Sequence, residues 1–281
     1  MQTNNSKPKI IFFGSSQFII PVIKILKEKF NLSLVITTEK SDGAVPLYCQ
    51  KNKITFMSAS TLKDKNLKSS ILNFKSPVGV IADFGLIIPE EILNVFPKGI
   101  INIHPSLLPK YRGPTPVQTA ILQGEKITGV SIIKLDKEID HGPILDVVKE
   151  DILDTDTAES LYKRLFTMGA NLLLNMLDKY LKGNLILNAQ NHEKATFTKL
   201  LTRQDGYIDS NNIPVKEELE LMIRAYYPWP GVWTKMKLNN KEKIVKFLPE
   251  KKIQVDGKKS MSYKDFINGY SEGGEILKIV S

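Results

Sequence analysis

The chain has 281 residues, 42% of them hydrophobic and 25% charged, which suits a water-soluble globular protein of one large domain or two smaller ones. With 39 Lys and Arg against 30 Asp and Glu, the formal charge of +9 fits either a lysine-rich surface or a polyanionic partner such as RNA. The single cysteine, Cys49, excludes an intramolecular disulfide and a cysteine metal cluster and suggests a cytoplasmic setting, while no apolar run approaches the ~20 residues of a membrane span and no signal or transit segment is recognisable.

Lys9–Phe13 reads as a buried strand ending at Gly14, followed by helical spacing in which Pro21 comes early and Val22, Ile25 and Leu26 share a side. A second strand is expected over 32–37, and strand–helix–strand opens a parallel sheet. The turn Gly14-Ser15-Ser16-Gln17-Phe18 carries one glycine, not the G-x-G-x-x-G that admits a pyrophosphate, so a dinucleotide is not expected. Residues 40–75 are lysine-rich and weakly periodic, with a short helix near 46–51 and a strand near 54–57. Another buried strand over 77–82 runs into the loop 83–89, where Pro89 opens a short helix. The β-branched run Ile100–His104 comes next, then a Pro-rich loop, then a helix from Pro116 with Val117, Ala120 and Ile121 inward and Gly124 as a stop. Strands are expected over 128–135 and 144–149, joined by the polar loop 136–143. Asp156-Thr157-Ala158-Glu159 reads as a helix cap, and Leu161, Leu165, Met168, Leu172, Met176 and Leu177 recur at helical spacing as far as Gly183, a stripe that belongs to the core.

The pattern then changes. Residues 188–205 are polar and irregular, as in a linker, and separate a domain over 1–187 from a second over 206–281. The second domain holds a helix over 216–226 and short strand-like runs at 232–238, 243–248, 252–256 and 276–280, the signature of a small β-rich fold of OB type.

Asn102 and His104 stand two residues apart in a strand, so their side chains share a face. A structural histidine with a capping asparagine is one reading; a catalytic pair at a strand end is the other. The second reading needs a third group, and Asp140 in the 136–143 loop supplies a candidate. An amide, an imidazole and a carboxylate suit attack of an amine on an acyl carbon: the amide and imidazolium N–H groups hold the tetrahedral oxyanion, and imidazole with carboxylate moves the amine proton. No serine stands in a G-x-S-x-G context, so no acyl-enzyme is indicated, and His104, His141 and His192 lack metal-ligand spacing.

The run Asn102-Ile103-His104-Pro105-Ser106-Leu107-Leu108-Pro109-Lys110-Tyr111-Arg112-Gly113, with Pro116-Val117-Gln118-Thr119-Ala120-Ile121, Thr128-Gly129-Val130-Ser131-Ile132 and Asp140-His141-Gly142-Pro143-Ile144-Leu145, resembles the formyltransferase family that uses 10-formyltetrahydrofolate. The resemblance implies a Rossmann-like catalytic domain and assigns the family's catalytic Asn, His and Asp to Asn102, His104 and Asp140. It places the folate against Phe84, Gly85, Leu86, Ile87, Ile88 and Pro89 and the loop carrying Ile139, His141 and Gly142, largely through backbone. Ser106, Leu107, Leu108, Pro109 and Arg112 would border the acceptor, Arg112 either contacting an acceptor phosphate or closing its own loop by hydrogen bonding. Phe12-Phe13-Gly14-Ser15-Ser16-Gln17-Phe18, then Gln190, Glu193, Ala195 and Thr196, then Ile223-Arg224-Ala225-Tyr226-Tyr227-Pro228-Trp229-Pro230-Gly231 favour members whose acceptor is the α-amine of initiator methionyl-tRNA. On that implication the partners are that tRNA and the folate co-substrate, with no metal, no membrane, a tRNA-contacting second domain and a monomeric protein. Departures from the pattern are a short segment at 37–46 where a long basic insertion is usual, Asp83-Phe84 in place of Ala-Tyr, Pro105 in place of Ala, and a shorter second domain. They keep two alternatives open: formylation of a nucleotide-linked amino sugar, and a non-catalytic RNA- or folate-binding module.

Overall fold

The computed structural model describes residues 7–210, 212, 214–270, 272 and 274, so the strand expected at 276–280 lies outside the described residues. The chain divides into two compact units: Met1–Pro114 with Thr128–Glu150 and Tyr162–Phe197, and Thr115–Ile127 with Asp151–Leu161 and Thr198–Ser281.

The first unit is built on a seven-stranded sheet of β1 (Lys9–Phe13), β2 (Asn31–Thr37), β3 (Phe56–Ser58), β4 (Val78–Ile81), β5 (Ile100–His104), β6 (Ile127–Lys134) and β7 (Ile144–Asp151), in the order β3-β2-β1-β4-β5-β6-β7. Strands β1 to β5 are parallel, and β6 runs antiparallel to β5. Ile10, Ile11, Phe12 and Phe13 are all fully buried, which is why β1 reads as a continuous apolar run: helices cover both faces of such a strand. The strand order reverses between β1 and β4, and that reversal leaves a crevice beyond the strand C-termini, beside which Asn102 and His104 emerge on β5.

Helices α1 (Ile20–Lys29), α2 (Ala44–Lys51), α3 (Lys65–Phe74) and α4 (Glu90–Leu93) connect the parallel strands. The sequence reading missed α3, whose signals are an Asp64 N-cap that accepts a 2.8 Å bond from the Asn66 amide and the inward pair Leu67 and Ile71 at i, i+4. The 24-residue helix α6 (Ala158–Leu181) supplies a stripe of Leu161, Leu165, Phe166, Leu173, Met176 and Leu177 to the interior. Met168 and Leu172, expected in that stripe, are only half-buried, and Gly169 takes the contact position instead. A Cβ on Gly169 would lie 2.5 Å from Cγ2 of Ile103, so its absence lets α6 approach β5 closely. The cap is also shifted from the expected Asp156–Glu159 pairing: the Ser160 amide donates to Thr157 Oγ1 at 3.2 Å, and the Thr157 amide donates to Ser160 Oγ at 3.0 Å.

In the second unit α5 (Pro116–Leu122) packs on α7 (Lys216–Tyr226). A four-stranded antiparallel sheet follows, of β8 (Val232–Leu238), β9 (Lys241–Leu248), β10 (Lys252–Val255) and β11 (Met261–Ser262), with α8 (Tyr263–Gly269) against its β10–β11 edge. Period-2 burial is plain: Val232, Thr234, Val245, Phe247, Ile253 and Val255 point inward while Lys235, Lys237 and Lys246 point out. Among the described residues no helix is long and apolar enough to cross a membrane.

Candidate active site

β5 delivers Asn102 and His104 to one face at its C-terminal end, Asn102 half-buried and His104 buried. Asp140 reaches them from the loop between β6 and β7. Its backbone sits at φ +49°, a left-handed conformation that an aspartate tolerates better than most residues. Its Oδ1 accepts a 3.0 Å hydrogen bond from Asn102 Nδ2, and its Oδ2 accepts one of 2.8 Å from the Gly113 amide and lies 3.5 Å from His104 Nδ1. On the other side of the ring, His104 Nε2 donates to the Tyr111 carbonyl at 3.0 Å. Both imidazole nitrogens therefore face oxygen, and an imidazolium satisfies both as a double donor. Asn102 Nδ2 carries a second hydrogen beyond the one held by Asp140. The three residues singled out from the sequence are thus brought together, Asn102 hydrogen-bonded to Asp140 and His104 Nδ1 facing the same carboxylate at 3.5 Å.

The Pro105–Gly113 loop is held from within. Ser106 Oγ donates to the Lys110 carbonyl at 2.7 Å, and Ser131 Oγ donates to the Ser106 carbonyl while accepting from the Leu108 amide. The Leu108–Pro109 peptide is cis. Ser106 and Leu108 are buried, Leu107 and Pro109 half-buried. Arg112 is also buried, its Nη2 donating to Gln190 Oε1 at 2.8 Å and to His192 Nδ1 at 2.9 Å. The sequence left two readings of Arg112 open, an acceptor-phosphate contact and loop closure by a backbone hydrogen bond; these two bonds hold its guanidinium against the Gln190 and His192 side chains.

The expected folate loops divide by side chain. Phe84 packs into the core edge-on to Phe13 at 5.5 Å, Leu86 and Ile88 rest on the same core, and only Gly85, at φ +79°, and Ile87, 80% exposed, turn outward. Opposite, Ile139 is exposed, and the His141 ring bonds Asp136 Oδ2 through Nδ1 at 2.6 Å and stacks on His192 with centroids 3.9 Å apart. Gly142 admits no side chain: a Cβ there would lie 1.8 Å from the Lys134 carbonyl oxygen. Just past β4, Asp83 sits at φ +46° with its carbonyl accepting from the Ser15 amide at 3.0 Å. The residue is exposed, yet desolvation of its carboxyl pushes the pKa above the usual carboxylate value, against the opposing influence of the Ser16 hydroxyl.

Sequence reasoning gave Gln190 and Thr196 no role at the site and did not mention Gly113 or Tyr111 as partners of the cluster. Backbone amides and carbonyls at a site leave no signature in residue type.

Residues 9–177 match the Formyl transferase family. The chain belongs to that family. This formyl transferase is 36% identical over 236 residues to the methionyl-tRNA formyltransferase of Chloroflexus aurantiacus, covering 80% of this chain and 76% of that one. Its similarity to the methionyl-tRNA formyltransferase of Thermodesulfovibrio yellowstonii extends over 300 aligned residues at 32% identity, covering 92% and 95% of the two chains. Among solved structures, the 4-N formyltransferase of Francisella tularensis shares the fold with a TM-score of 0.69 at 20% identity, over 87% of this chain and 98% of that one.

Proposed function

We propose that this formyl transferase moves the formyl group of 10-formyltetrahydrofolate to the α-amine of initiator methionyl-tRNA. The cluster of Asn102, His104 and Asp140, in which the carboxylate accepts from Asn102 and faces the His104 ring, carries the chemistry. The amine attacks the formyl carbon, a C–N bond forms, and the carbonyl oxygen becomes an oxyanion. The second Asn102 N–H and the His104 imidazolium stabilise it, each such donor contributing about 3 kcal/mol in comparable sites. Asp140 holds both donors in place and helps pass the amine proton toward N10 of the folate as the old C–N bond breaks.

The folate reading rests on the family resemblance of the 84–89 and Ile139, His141 and Gly142 loops, with the exposed Ile87 and Ile139 as apolar cover for the pterin. Ser106 to Pro109 form the rigid wall of the acceptor side, and Arg112 supports that wall from behind. The acceptor reading is supported by relatives at 32% and 36% identity whose names state methionyl-tRNA as substrate. The same reading makes the second unit an OB-like tRNA-contacting domain: Trp233, Lys235, Lys237 and Lys246 share one face of its antiparallel sheet, and Arg203 stacks on Trp233 at 5.1 Å. A monomer acting in the cytoplasm completes the proposal.

The amino-sugar alternative draws on one observation. The segment at 37–46 is a compact turn, closed by Glu39 Oε2 accepting from the Val45 amide at 2.7 Å, and carries no basic extension. Incubation with 10-formyltetrahydrofolate and either methionyl-tRNA or amino-sugar nucleotides separates the two. Formyl transfer to the tRNA is expected; transfer to the sugar alone would overturn the acceptor assignment, and transfer to neither would favour a binding module.

A further inference from the structure

Asp140 is the least self-sufficient member of the cluster. It stands in a loop, in a left-handed backbone conformation, and must hold two donors at once. Something outside the loop has to fix it, since a loop residue at positive φ has no ladder of its own. We infer that Gln190 is a positioning residue for Asp140, and that residues 188–197 act as a strap binding the two loops of the active site to each other.

The strap is anchored at both ends. Asn188 exchanges two backbone hydrogen bonds with Ile144, at 2.8 and 2.9 Å, at the start of β7. At the other end Thr196 accepts from the Tyr111 amide through Oγ1 and from the Arg112 amide through its carbonyl, both at 2.8 Å. Between them lies Gln190, buried. Its Nε2 donates to the Asp140 carbonyl at 2.8 Å and to the Gly142 carbonyl at 2.7 Å, which uses both amide hydrogens. Its Oε1 accepts from Arg112 Nη2. One side chain thus ties the loop that carries Asp140 to the loop that carries Tyr111 and Gly113. Those residues supply the groups bonded to the cluster: the Tyr111 carbonyl on His104, and the Gly113 amide on Asp140.

The geometry is specific to glutamine. A methionine fills the space with no hydrogen bonds. A glutamate keeps an oxygen for Arg112 but sets a carboxylate against two carbonyls. The two variants therefore separate the tie to Arg112 from the hold on Asp140.

This inference rests on the proposed formyl transfer only for its kinetic half, so the experiment has two readouts. Hydrogen exchange in the full-length protein reads the strap without reference to activity. Gln190→Met should raise exchange about tenfold or more in segments spanning 109–114 and 138–143, and Gln190→Glu chiefly in 138–143, with strands β1, β2 and β4 unchanged. Steady-state formyl transfer to methionyl-tRNA reads the consequence: kcat should fall roughly 10- to 100-fold in both variants, as is common when a group orienting a first-contact residue is removed, with KM for each substrate within about threefold. Unchanged exchange at the Gly113 amide in both variants would overturn the strap. Faster exchange with undiminished kcat would overturn the positioning role. Faster exchange in a protein whose wild type transfers no formyl group would uphold the strap and refute the activity.

Discussion

Two carboxyl groups stand at the C-terminal edge of the sheet. Asp140 accepts from Asn102 and from the Gly113 amide. Asp83 is pushed toward its neutral form by desolvation. A carboxyl whose pKa is raised on folding adds stability below its unfolded value, and that stability is lost as pH rises through its folded value. Asp83→Asn keeps the neutral shape and tolerates positive φ, so it should raise the thermal midpoint at pH 7, with the gain vanishing as pH falls below the unfolded value near 3.8; calorimetry across that window decides the sign. His104→Ala should lower kcat by about 100- to 1,000-fold with folate affinity within about threefold, measured by single-turnover transfer and titration with a stable folate analogue. Asn102 and His104 were legible because their spacing in a β-branched run fixes a shared face. Asp140 was legible as a nearby acid in the right loop. The bond from Gly113 and the raised pKa of Asp83 were not, since one comes from backbone and the other from surroundings assembled across three strands.

At the level of elements, the strands announced themselves through continuous apolar runs, and the long helix through its 3.6-residue period. Helix α3 stayed hidden because only Leu67 and Ile71 face inward in a lysine- and serine-rich segment. The core side of α6 was legible at Leu161, Leu165, Met176 and Leu177 but not at Met168 and Leu172, since an interior glycine at 169 gives no hydrophobic signal although it sets the contact with Ile103. Leu173, fully buried on that helix, should cost about 2–5 kcal/mol when truncated to Ala, visible as a lower urea midpoint at unchanged m. Residues 188–197 read as irregular chain for a similar reason: the segment makes few bonds to itself and many to loops 45 to 85 positions away.

For the molecule as a whole, net charge was the least specific clue and gains meaning only with the sheet register. Trp233 pairs with Lys246, and Lys235 with Ile244, so aromatic and basic groups share the outward face of β8 and β9. Replacing Lys235, Lys237 and Lys246 with Ala should weaken tRNA binding at 0.1 M salt and flatten the plot of log affinity against log salt by roughly one to three units. An unaltered slope would mean that this face does not meet phosphate. The change of pattern after Gly183 suggests a boundary over 188–205, while the compact units take Thr115–Ile127 and Asp151–Leu161 together with Thr198–Ser281. That α5 packs with α7 was not visible in the sequence, because about 100 residues separate the two helices.

The strap has a consequence for how the protein is made. Synthesis runs towards the C-terminal side, so β1 to β7 and α6 are all made before Gln190 and Thr196. At ~5–20 residues per second, the ~50 residues between Asp140 and Thr196 correspond to about 3–10 s. During that interval the nascent chain already owns Asn102, His104 and Asp140, yet on the proposed strap the loop that aims the aspartate is still untied. Competence arrives late, with ten residues of irregular chain, and a cut just ahead of them would disarm a unit that is otherwise already built.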